Sequence, residues 1–241
     1  MTKKPLEGRV ALVTGASRGI GYALSLSLAE AGAHVIATAR TQGGLEELDD
    51  AIREAGGSCT LVPLDLASPD GIEKLAAIVT ERWSKLDILI ANAGVLGKLT
   101  PASQLSAQTW NEVFAINVIA PARLIRAFEP LLLKSDAGRA VFMTSGAARG
   151  RKAFWAAYAS SKAALDALVE SWANEHLGSR LNINLVNPGP MRTAMRAKAF
   201  PGEDPETLPA PEDLAPLVLE LVTPESTMHG KTVDFPDWKK S

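Results

Sequence analysis

The chain has 241 residues, of which 46% are hydrophobic and 22% charged, and its formal net charge is −2. This balance is typical of one folded domain with a large core and excludes a disordered chain. The absence of a basic excess argues against a nucleic-acid surface, and no apolar segment is long enough to span a bilayer.

The N-terminal segment and the cysteine content predict where the protein works. The first ten residues carry two lysines with no apolar segment behind them, so we expect no signal peptide. Cys59 is the only cysteine, which excludes an internal disulfide, and its apolar surroundings predict a small buried side chain. The histidines, His34, His176 and His229, show no metal-ligand spacing. We expect a cytoplasmic protein with no metal and no membrane or nucleic-acid partner.

Seven apolar runs rich in Val, Ile and Leu alternate along the chain with longer segments of helical period. This alternation predicts an α/β fold, a doubly wound Rossmann-type domain whose seven-stranded sheet is mostly or fully parallel, with helices on both faces. No linker composition or repeat divides the chain, so residues 1–241 are predicted to form a single domain. The predicted strands are Arg9–Thr14, Ala33–Ala39, Cys59–Leu64, Leu86–Ala91, Arg139–Ser145, Leu181–Asn187 and Lys231–Phe235.

A glycine-rich loop, "TGASRGIG" (Thr14–Gly21), follows the first strand and opens the first helix. Glycines let the backbone turn tightly near a pyrophosphate, and the amides at the helix N-terminus favour its negative charge. The spacing is GxxxGxG, and its place in the first βα turn favours a dinucleotide site over a turn needed only for packing. The predicted cofactor contacts in this loop are Gly15, Ser17, Arg18, Gly19, Ile20 and Gly21.

The end of the second strand distinguishes the two nicotinamide dinucleotides. An NAD-binding chain places an acid there to hold the ribose hydroxyls, but this strand ends with Arg40. Arg40 and Arg18 suit a 2′-phosphate, which a carboxylate would repel. The sequence therefore favours NADP(H) over NAD(H), against the alternative that Arg40 is simply solvated.

Further motifs follow in order along the chain. They include Asp65 and Leu66 in "LDL", Asn92, Ala93 and Gly94 in "NAG", Asn117 in "INV", Ser145, Tyr158 and Lys162 around "YASSK", and Pro188, Gly189, Met191 and Thr193 in "NPGPMRT". Over nearly its whole length the chain thus resembles the short-chain dehydrogenase/reductase family. A finer resemblance, carried by "LLLKSDAG" and "YASSKAAL", is to the YciK-type branch of bacterial oxidoreductases.

The resemblance implies a role for each of these residues. Asp65 and Leu66 would meet the adenine, the "NAG" residues would steady the central strand beside the cofactor, and the "NPGPMRT" residues would meet the nicotinamide. The implied catalytic set is Asn117, Ser145, Tyr158 and Lys162. In it, Lys162 would also hold the cofactor ribose, and Asn117 would hold a water that links Lys162 to bulk solvent.

Elementary chemistry supports the Tyr158 and Lys162 pair independently. Four residues apart on a helix, the two side chains share one face, and an ammonium beside a phenol predicts a lowered phenol pKa. Such a tyrosine can protonate a carbonyl oxygen as hydride reaches the carbon, and Ser145, predicted to end the fifth strand, would polarise that oxygen. A buried ring with a solvated lysine is the alternative. The position of the pair after the strand-end serine and the phosphate loop favours catalysis.

Residues 188–213 hold six prolines and show no clear period, which predicts a long loop. We interpret residues 190–212 as a short substrate lid, with an ordinary surface loop as the alternative. Phe154 and Trp155 are predicted either to wall the substrate pocket or merely to pack. Six basic side chains near the cleft would suit an anionic substrate or a phosphopantetheine thioester, although charged loops are often only solvated: Arg149, Arg151, Lys152, Arg192, Arg196 and Lys198.

The C-terminal segment departs from the family pattern. Many relatives carry Gly-Gly after a Val-Asp, where this chain reads "VDFPDWKKS" (Val233–Ser241). The resemblance implies that helices within Ser106–Ser135 and Tyr158–Leu177 pack against a second subunit. We therefore expect a homo-oligomer, with the family's tetramer less secure and a dimer left open.

The predicted function is reversible hydride transfer between NADP(H) and a carbonyl or alcohol substrate, with Tyr158 as general acid and base. A 3-oxoacyl thioester or small ketone reductase is the leading variant. A silent dinucleotide-binding regulator is one alternative, but it would not need Ser145, Tyr158 and Lys162 together. A methyltransferase on a similar sheet is another, but its glycine loop would lack the GxxxGxG spacing.

Overall fold

Seven strands form the centre of the domain within residues 4–150 and 152–240, the part of the chain that the computed structural model describes. Every neighbouring pair is parallel, and the order is β3-β2-β1-β4-β5-β6-β7. The predicted doubly wound, fully parallel sheet is confirmed. The strands are β1 Val10–Thr14, β2 His34–Ala39, β3 Ser58–Pro63, β4 Ile88–Ala91, β5 Arg139–Met143, β6 Asn182–Asn187 and β7 Thr232–Asp234.

Helices cover both faces of the sheet and bury their apolar sides against it. Buried side chains of α1, α2 and α9 form the core on one face, and those of α3, α5 and α7 form the core on the other. The helices are α1 Gly19–Glu30, α2 Gln42–Glu54, α3 Gly71–Trp83, α4 Ala107–Phe114, α5 Ala120–Leu132, α6 Ala147–Gly150, α7 Ala156–Glu175, α8 Ala194–Ala199, α9 Ala215–Val222 and α10 Phe235–Trp238.

Helices α4 and α5 are joined without a break by a π-helical turn, Ala115–Ile119. A π turn inserts one extra residue into a helix and is frequent at functional sites. Asn117 lies in the middle of this turn and is buried. The turn therefore aims Asn117 into the protein while α5 keeps its own apolar face on the sheet.

The strand order places a binding crevice at one edge of the sheet. The chain runs outward from β1 to β3, then returns to the other side of β1 with β4. Ligands of such open sheets bind outside the carboxyl ends of the strands, at the point where the order reverses. The carboxyl ends of β1, β4, β5 and β6 carry the glycine loop, the "NAG" motif, Ser145 and the "NPGPMRT" segment.

Two local predictions are corrected. Strand β5 ends at Met143, so Ser145 lies in the turn after the strand and not at its last position. Residues 188–213 are not wholly irregular, since they contain α8 and two 3-10 turns, Pro205–Thr207 and Pro211–Leu214. Helix α8 is only six residues long, which is too short to show a helical period. The sequence feature that marks its start is the N-cap, where the Thr193 hydroxyl accepts from the Arg196 amide.

Candidate active site

The glycine loop folds tightly onto itself and onto strand β4. Gly15 and Gly19 have positive φ values of 68° and 57°, and a Cβ on Gly21 would lie 2.2 Å from the Gly15 carbonyl oxygen. The Asn92 Nδ2 donates to the carbonyl oxygens of Thr14 and Gly15, at 2.9 and 3.3 Å. Glycine is thus required here by backbone conformation and by packing, and Asn92 of the "NAG" motif holds the glycine loop beside β4.

The N-terminus of α1 and two arginines offer positive charge beside this loop. No side chain caps α1 at Arg18, which leaves the first-turn amides available for an anion. Arg18 and Arg40 are exposed, and neither side chain makes a hydrogen bond or ion pair with a described residue. The Ala16 amide donates to the Thr38 carbonyl, 3.1 Å away, which fixes the loop beside the end of β2. The residues present therefore fit a phosphorylated dinucleotide.

The predicted adenine contacts lie at the end of β3. Asp65 is exposed, and its Oδ1 accepts from the Ala67 amide at 3.0 Å, whereas Leu66 is buried. The neighbouring Leu64 amide donates to the Ala39 carbonyl at 2.9 Å, which places this turn next to the end of β2. Asp65 therefore lies on the same edge of the sheet as Arg40.

Helix α7 brings Tyr158 and Lys162 against the end of β5. Both side chains are buried, with 8% and 4% of their surface exposed. Tyr158 shares a side-chain hydrogen bond with Ser145, and the Lys162 Nζ donates to the Met143 carbonyl at 2.7 Å. The predicted Ser145, Tyr158 and Lys162 set is therefore assembled, and a merely solvated lysine is excluded.

The predicted direction of the Tyr158 pKa shift is wrong for the protein alone. Burial raises the pKa of Tyr158, and the hydrogen bond with Ser145 only opposes this shift. Lys162 contributes no lowering, because its Nζ lies 6.0 Å from the Tyr158 ring centroid and is engaged with Met143. Burial also lowers the pKa of Lys162 to about 8. Desolvation outweighs the charge pairing expected from helix spacing.

Asn117 lies close to Lys162, on the other side of Gly94. Its Oδ1 accepts from the Val95 amide at 2.9 Å, and its Nδ2 donates to the Val95 carbonyl at 2.9 Å and to Ser161 Oγ at 3.0 Å. A Cβ on Gly94 would lie 3.4 Å from Asn117 Oδ1 and 3.7 Å from Lys162 Nζ. All four residues proposed for catalysis thus lie around one site, and the absence of a side chain at Gly94 keeps it open.

The "NPGPMRT" segment closes over the glycine loop. Pro188 follows β6, Met191 is buried, and the Thr193 Cγ2 would lie 3.5 Å from a Cβ on Gly19. The start of the lid therefore reaches the loop that opens α1, so the predicted cofactor residues of both segments face one crevice.

Comparison with known proteins decides the family. A sequence profile of the family described as short chain dehydrogenase matches residues 9–204. The chain belongs to the short-chain dehydrogenase/reductase family. It is therefore an oxidoreductase by family, and the predicted resemblance is confirmed.

Three similar proteins show how close the relationship is. The uncharacterized oxidoreductase YciK of Escherichia coli K12 is 39% identical over 98% of this chain and 94% of its own length. A rhamnolipids biosynthesis 3-oxoacyl-[acyl-carrier-protein] reductase of Pseudomonas aeruginosa is 35% identical over 95% of this chain and 94% of its length. A short-chain dehydrogenase of Shigella flexneri, solved in complex with NADP, superposes with a TM-score of 0.93 at 40% identity over 98% of this chain and all of its own.

The C-terminal segment, where this chain departs from the short-chain dehydrogenase/reductase pattern, packs against the "NPGPMRT" segment. The sequence did not indicate this contact. Asn187 Oδ1 accepts from the Gly189 amide at 3.1 Å, and its Nδ2 donates to Asp234 at 2.6 Å. Gly189 has a φ of 68°, and a Cβ there would lie 2.6 Å from Pro236 Cγ. The Asp234 carboxylate and, where many relatives have a glycine, Pro236 hold the segment predicted to meet the nicotinamide.

The lid of this family member is joined to Tyr158 by a row of aromatic rings. The ring centroids of Phe200 and Trp155 are 5.7 Å apart, and those of Trp155 and Tyr158 are 5.8 Å apart. Arg196 stacks on the other face of Phe200, with its guanidinium carbon 3.8 Å from the centroid. Trp155 therefore packs between the lid and Tyr158, whereas Phe154 is 58% exposed. That either residue walls a substrate pocket stays a prediction.

Half of the six basic side chains near the cleft are already neutralised. Three of the arginines pair with carboxylates, at distances of 2.5–2.8 Å: Arg149 with Asp234, Arg192 with Glu206 and Arg196 with Glu203. Lys152 lies over the Phe200 ring at 5.4 Å from its centroid, and Arg151 lies outside the described residues. Apart from Arg151, only Lys152 and Lys198 of the predicted basic group form no ion pair within the described residues, and the charge of Lys152 still acts on Glu203.

The remaining predictions concern features away from the site. Residues 4–150 and 152–240 contain no helix long and apolar enough to cross a membrane and no cluster of three metal-binding side chains. The three histidines lie apart from one another. His34 hydrogen-bonds the Ser58 and Thr60 hydroxyls, His176 the Glu129 carboxylate, and His229 the Ala173 carbonyl. Cys59 is partly buried, and burial raises the pKa of its thiol to about 12, which makes it a poor nucleophile.

Proposed function

We propose that the protein transfers hydride reversibly between NADP(H) and a carbonyl or alcohol substrate, with Tyr158 as general acid and base. The observation that carries this proposal is the assembly of Ser145, Tyr158, Lys162 and Asn117 beside the glycine loop. A dinucleotide-binding regulator without turnover is the alternative. It would have no need for a buried phenol hydrogen-bonded to Ser145.

The proposed cofactor is NADP(H). The amides at the start of α1 would hold the pyrophosphate, the unpaired Arg18 and Arg40 the 2′-phosphate, and Asp65 with Leu66 the adenine. The NADP complex of the Shigella flexneri relative supports this choice. When bound, the cofactor supplies the hydride, and the protein supplies position and charge.

Within the site, each side chain has a distinct part. The Ser145 hydroxyl would hold the carbonyl oxygen, and the Tyr158 hydroxyl would give that oxygen a proton as the carbon is reduced. Because its pKa is raised, Tyr158 is protonated at neutral pH, which favours the reduction direction. In the oxidation direction Tyr158 must first give up its proton, which its raised pKa opposes, and Lys162 would hold the cofactor ribose.

For the substrate, we propose a 3-oxoacyl thioester or a small ketone. The name of the Pseudomonas aeruginosa relative supports the first, and the aromatic wall of Trp155 and Phe200 beside Tyr158 suits an apolar acyl chain or a ketone. An acidic tail would find few unpaired cations, since Lys152 and Lys198 are the ones that form no ion pair with a described residue. The pocket therefore favours recognition by apolar contact over ion pairing.

Self-association and a cytoplasmic location stay predictions. The outer face of α7 supports self-association, because a cavity of about 460 Å³ there is bordered by small side chains and by Phe154. Phe154 and Ile119 are 58% and 54% exposed. Two large apolar side chains in contact with water, beside a surface of small residues, suit a second copy of the chain.

The first experiment compares NADPH and NADH binding by titration calorimetry and then offers the same sample ketones, quinones and 3-oxoacyl thioesters. We expect NADPH to bind more tightly and to be oxidised with at least one substrate class. Tight NADPH binding without turnover across a broad panel would favour the regulator instead. Failure to bind either dinucleotide would contradict the proposal.

A methyl group at Gly94 provides a second test of the site. Gly94→Ala should fold normally, because its φ is not left-handed and the nearest atoms would be at ordinary contact distances of 3.4 Å and more. The methyl would nevertheless fill the space between Asn117 and Lys162. We expect NADPH affinity to fall about tenfold with an unchanged melting temperature. Gly202→Ala, whose Cβ meets nothing within 4 Å, is the control. Equal NADPH affinity in both variants would contradict the assignment.

A further inference from the structure

Three residues of α7, each one turn apart, contact the last residue of β5 and the two residues that follow it. Tyr158 hydrogen-bonds Ser145, and Lys162 donates to the Met143 carbonyl at 2.7 Å. In the third contact, the Thr144 hydroxyl donates to the Asp166 carboxylate. The first two contacts belong to the proposed catalytic set. The third involves two residues to which no role has been assigned.

Thr144 is well placed to transmit an effect of Asp166. Its side chain is buried, and its amide donates to the Val186 carbonyl at 2.9 Å, so β6 fixes its backbone. The next residue is Ser145. A carboxylate that grips the Thr144 hydroxyl therefore holds the turn that presents Ser145 to Tyr158.

Three charged side chains, Lys162, Glu170 and Arg149, act on the Asp166 carboxylate. Lys162 and Glu170 lie one turn before and one turn after it on α7, and Arg149 faces it from α6. Arg149 is already bound to Asp234 at 2.8 Å, and Glu170 is exposed. Lys162, by contrast, is almost completely buried, and Asp166 is the carboxylate whose charge acts on it. Among the described residues the two groups form no ion pair, so Asp166 acts on the buried ammonium as a nearby counter-charge one helical turn away.

We propose that Asp166 is a positioning residue, which holds Thr144 beside Ser145 and places a negative charge one helical turn from the buried Lys162 ammonium. This inference rests on the proposed function of the same site. It adds a second layer to that site, on the same face of α7 one turn beyond Lys162, and not in contact with the reacting atoms.

The pKa directions agree with this geometry. Burial lowers the pKa of Lys162 to about 8, and the charge of Asp166 opposes that shift. Burial raises the pKa of Asp166, and the hydrogen bond from Thr144 opposes that shift in turn. Thr144 thus helps to keep Asp166 ionised, and Asp166 helps to keep Lys162 ionised. Removing the carboxylate charge should lower the Lys162 pKa further.

The test measures the protonation of Lys162 directly in the protein without cofactor. The 13Cε resonance of Lys162, in protein labelled at lysine and assigned with Lys162→Met, is followed from pH 6 to pH 10. We expect Asp166→Asn, which keeps the shape and the acceptor for Thr144, to lower the Lys162 pKa by about 0.5–1 unit. The control is Glu170→Gln, which removes an exposed carboxylate one turn further along α7, and it should leave the titration unchanged.

A second variant separates the contact from the charge. Thr144→Val keeps the side-chain shape but releases the carboxylate, so it should lower the Lys162 pKa in the same direction by a smaller amount. An unchanged Lys162 titration in both Asp166→Asn and Thr144→Val would overturn the proposal. Equal shifts of the Lys162 pKa in Asp166→Asn and Glu170→Gln would also overturn it. Because the measurement needs no substrate, a failed search for turnover would contradict the proposed function without deciding this inference.

Discussion

Tyr158→Phe is expected to reduce the rate of NADPH oxidation by about a thousandfold, because removing a general acid typically costs between a hundredfold and ten-thousandfold. The ring would keep its place against Trp155, 5.8 Å away between centroids. Only the hydroxyl and its hydrogen bond with Ser145 would be lost, at a cost of about 1 kcal/mol in the free energy of unfolding. Steady-state rates, NADPH titration and thermal melting on one preparation measure the three effects separately.

The chain provides its own control for this substitution. Its other tyrosine, Tyr22, lies on α1 and packs against the core on the other face of the sheet. Tyr22→Phe should leave the rate within about twofold of the wild type, since it removes no group near the reaction. NADPH affinity should be retained in both variants. A Tyr158→Phe enzyme with more than a tenth of the wild-type rate would show that another group supplies the proton.

Arg40→Asp is expected to weaken NADPH binding about a hundredfold while changing NADH binding less than threefold. A guanidinium bound to a phosphate is a charge-assisted contact worth about 1.5–3 kcal/mol, and an aspartate in its place adds repulsion. NADH has no 2′-phosphate, so its affinity should change little. Titration calorimetry with both dinucleotides at one fixed salt concentration measures the difference.

The control makes the same Arg→Asp change at an exposed residue that lies far from the crevice. Arg180 is exposed and lies just before β6, at the opposite edge of the sheet. Arg180→Asp should leave the affinity for both dinucleotides unchanged, which would exclude a general effect of net charge. If Arg40→Asp weakened NADPH and NADH equally, the assignment of Arg40 to the 2′-phosphate would be wrong.

The parts of the fold and site that local patterns encode were predictable from the sequence. Alternating apolar runs located each strand to within two residues, and Tyr158 and Lys162 share a helix face because their spacing is one turn. The glycine loop was predictable for a similar reason, since its positive φ values occur within one short motif.

Features that depend on contacts between distant segments were not predictable. The pKa of Tyr158 depends on how deeply α7 buries the ring, and spacing along the helix does not report burial. The pairs of the cleft arginines with Asp234, Glu203 and Glu206 need the folded lid and C-terminal segment. Asp166 does carry a local signal, because it follows Lys162 by one helical turn. Its partner Thr144 comes from another element, so the contact appears only in the fold.

The π turn limits how this protein can be redesigned. Replacing Ala115–Ile119 by a regular helical segment one residue shorter would improve local backbone geometry and suit most stabilisation schemes. Each residue of an α-helix advances by about 100°, so such a deletion would rotate one half of the helix relative to the other by that angle. Either Asn117 would turn away from Gly94, or Leu124 and Phe128 would leave the core. A gain in thermal stability at this turn would therefore come with a loss of the geometry of the site.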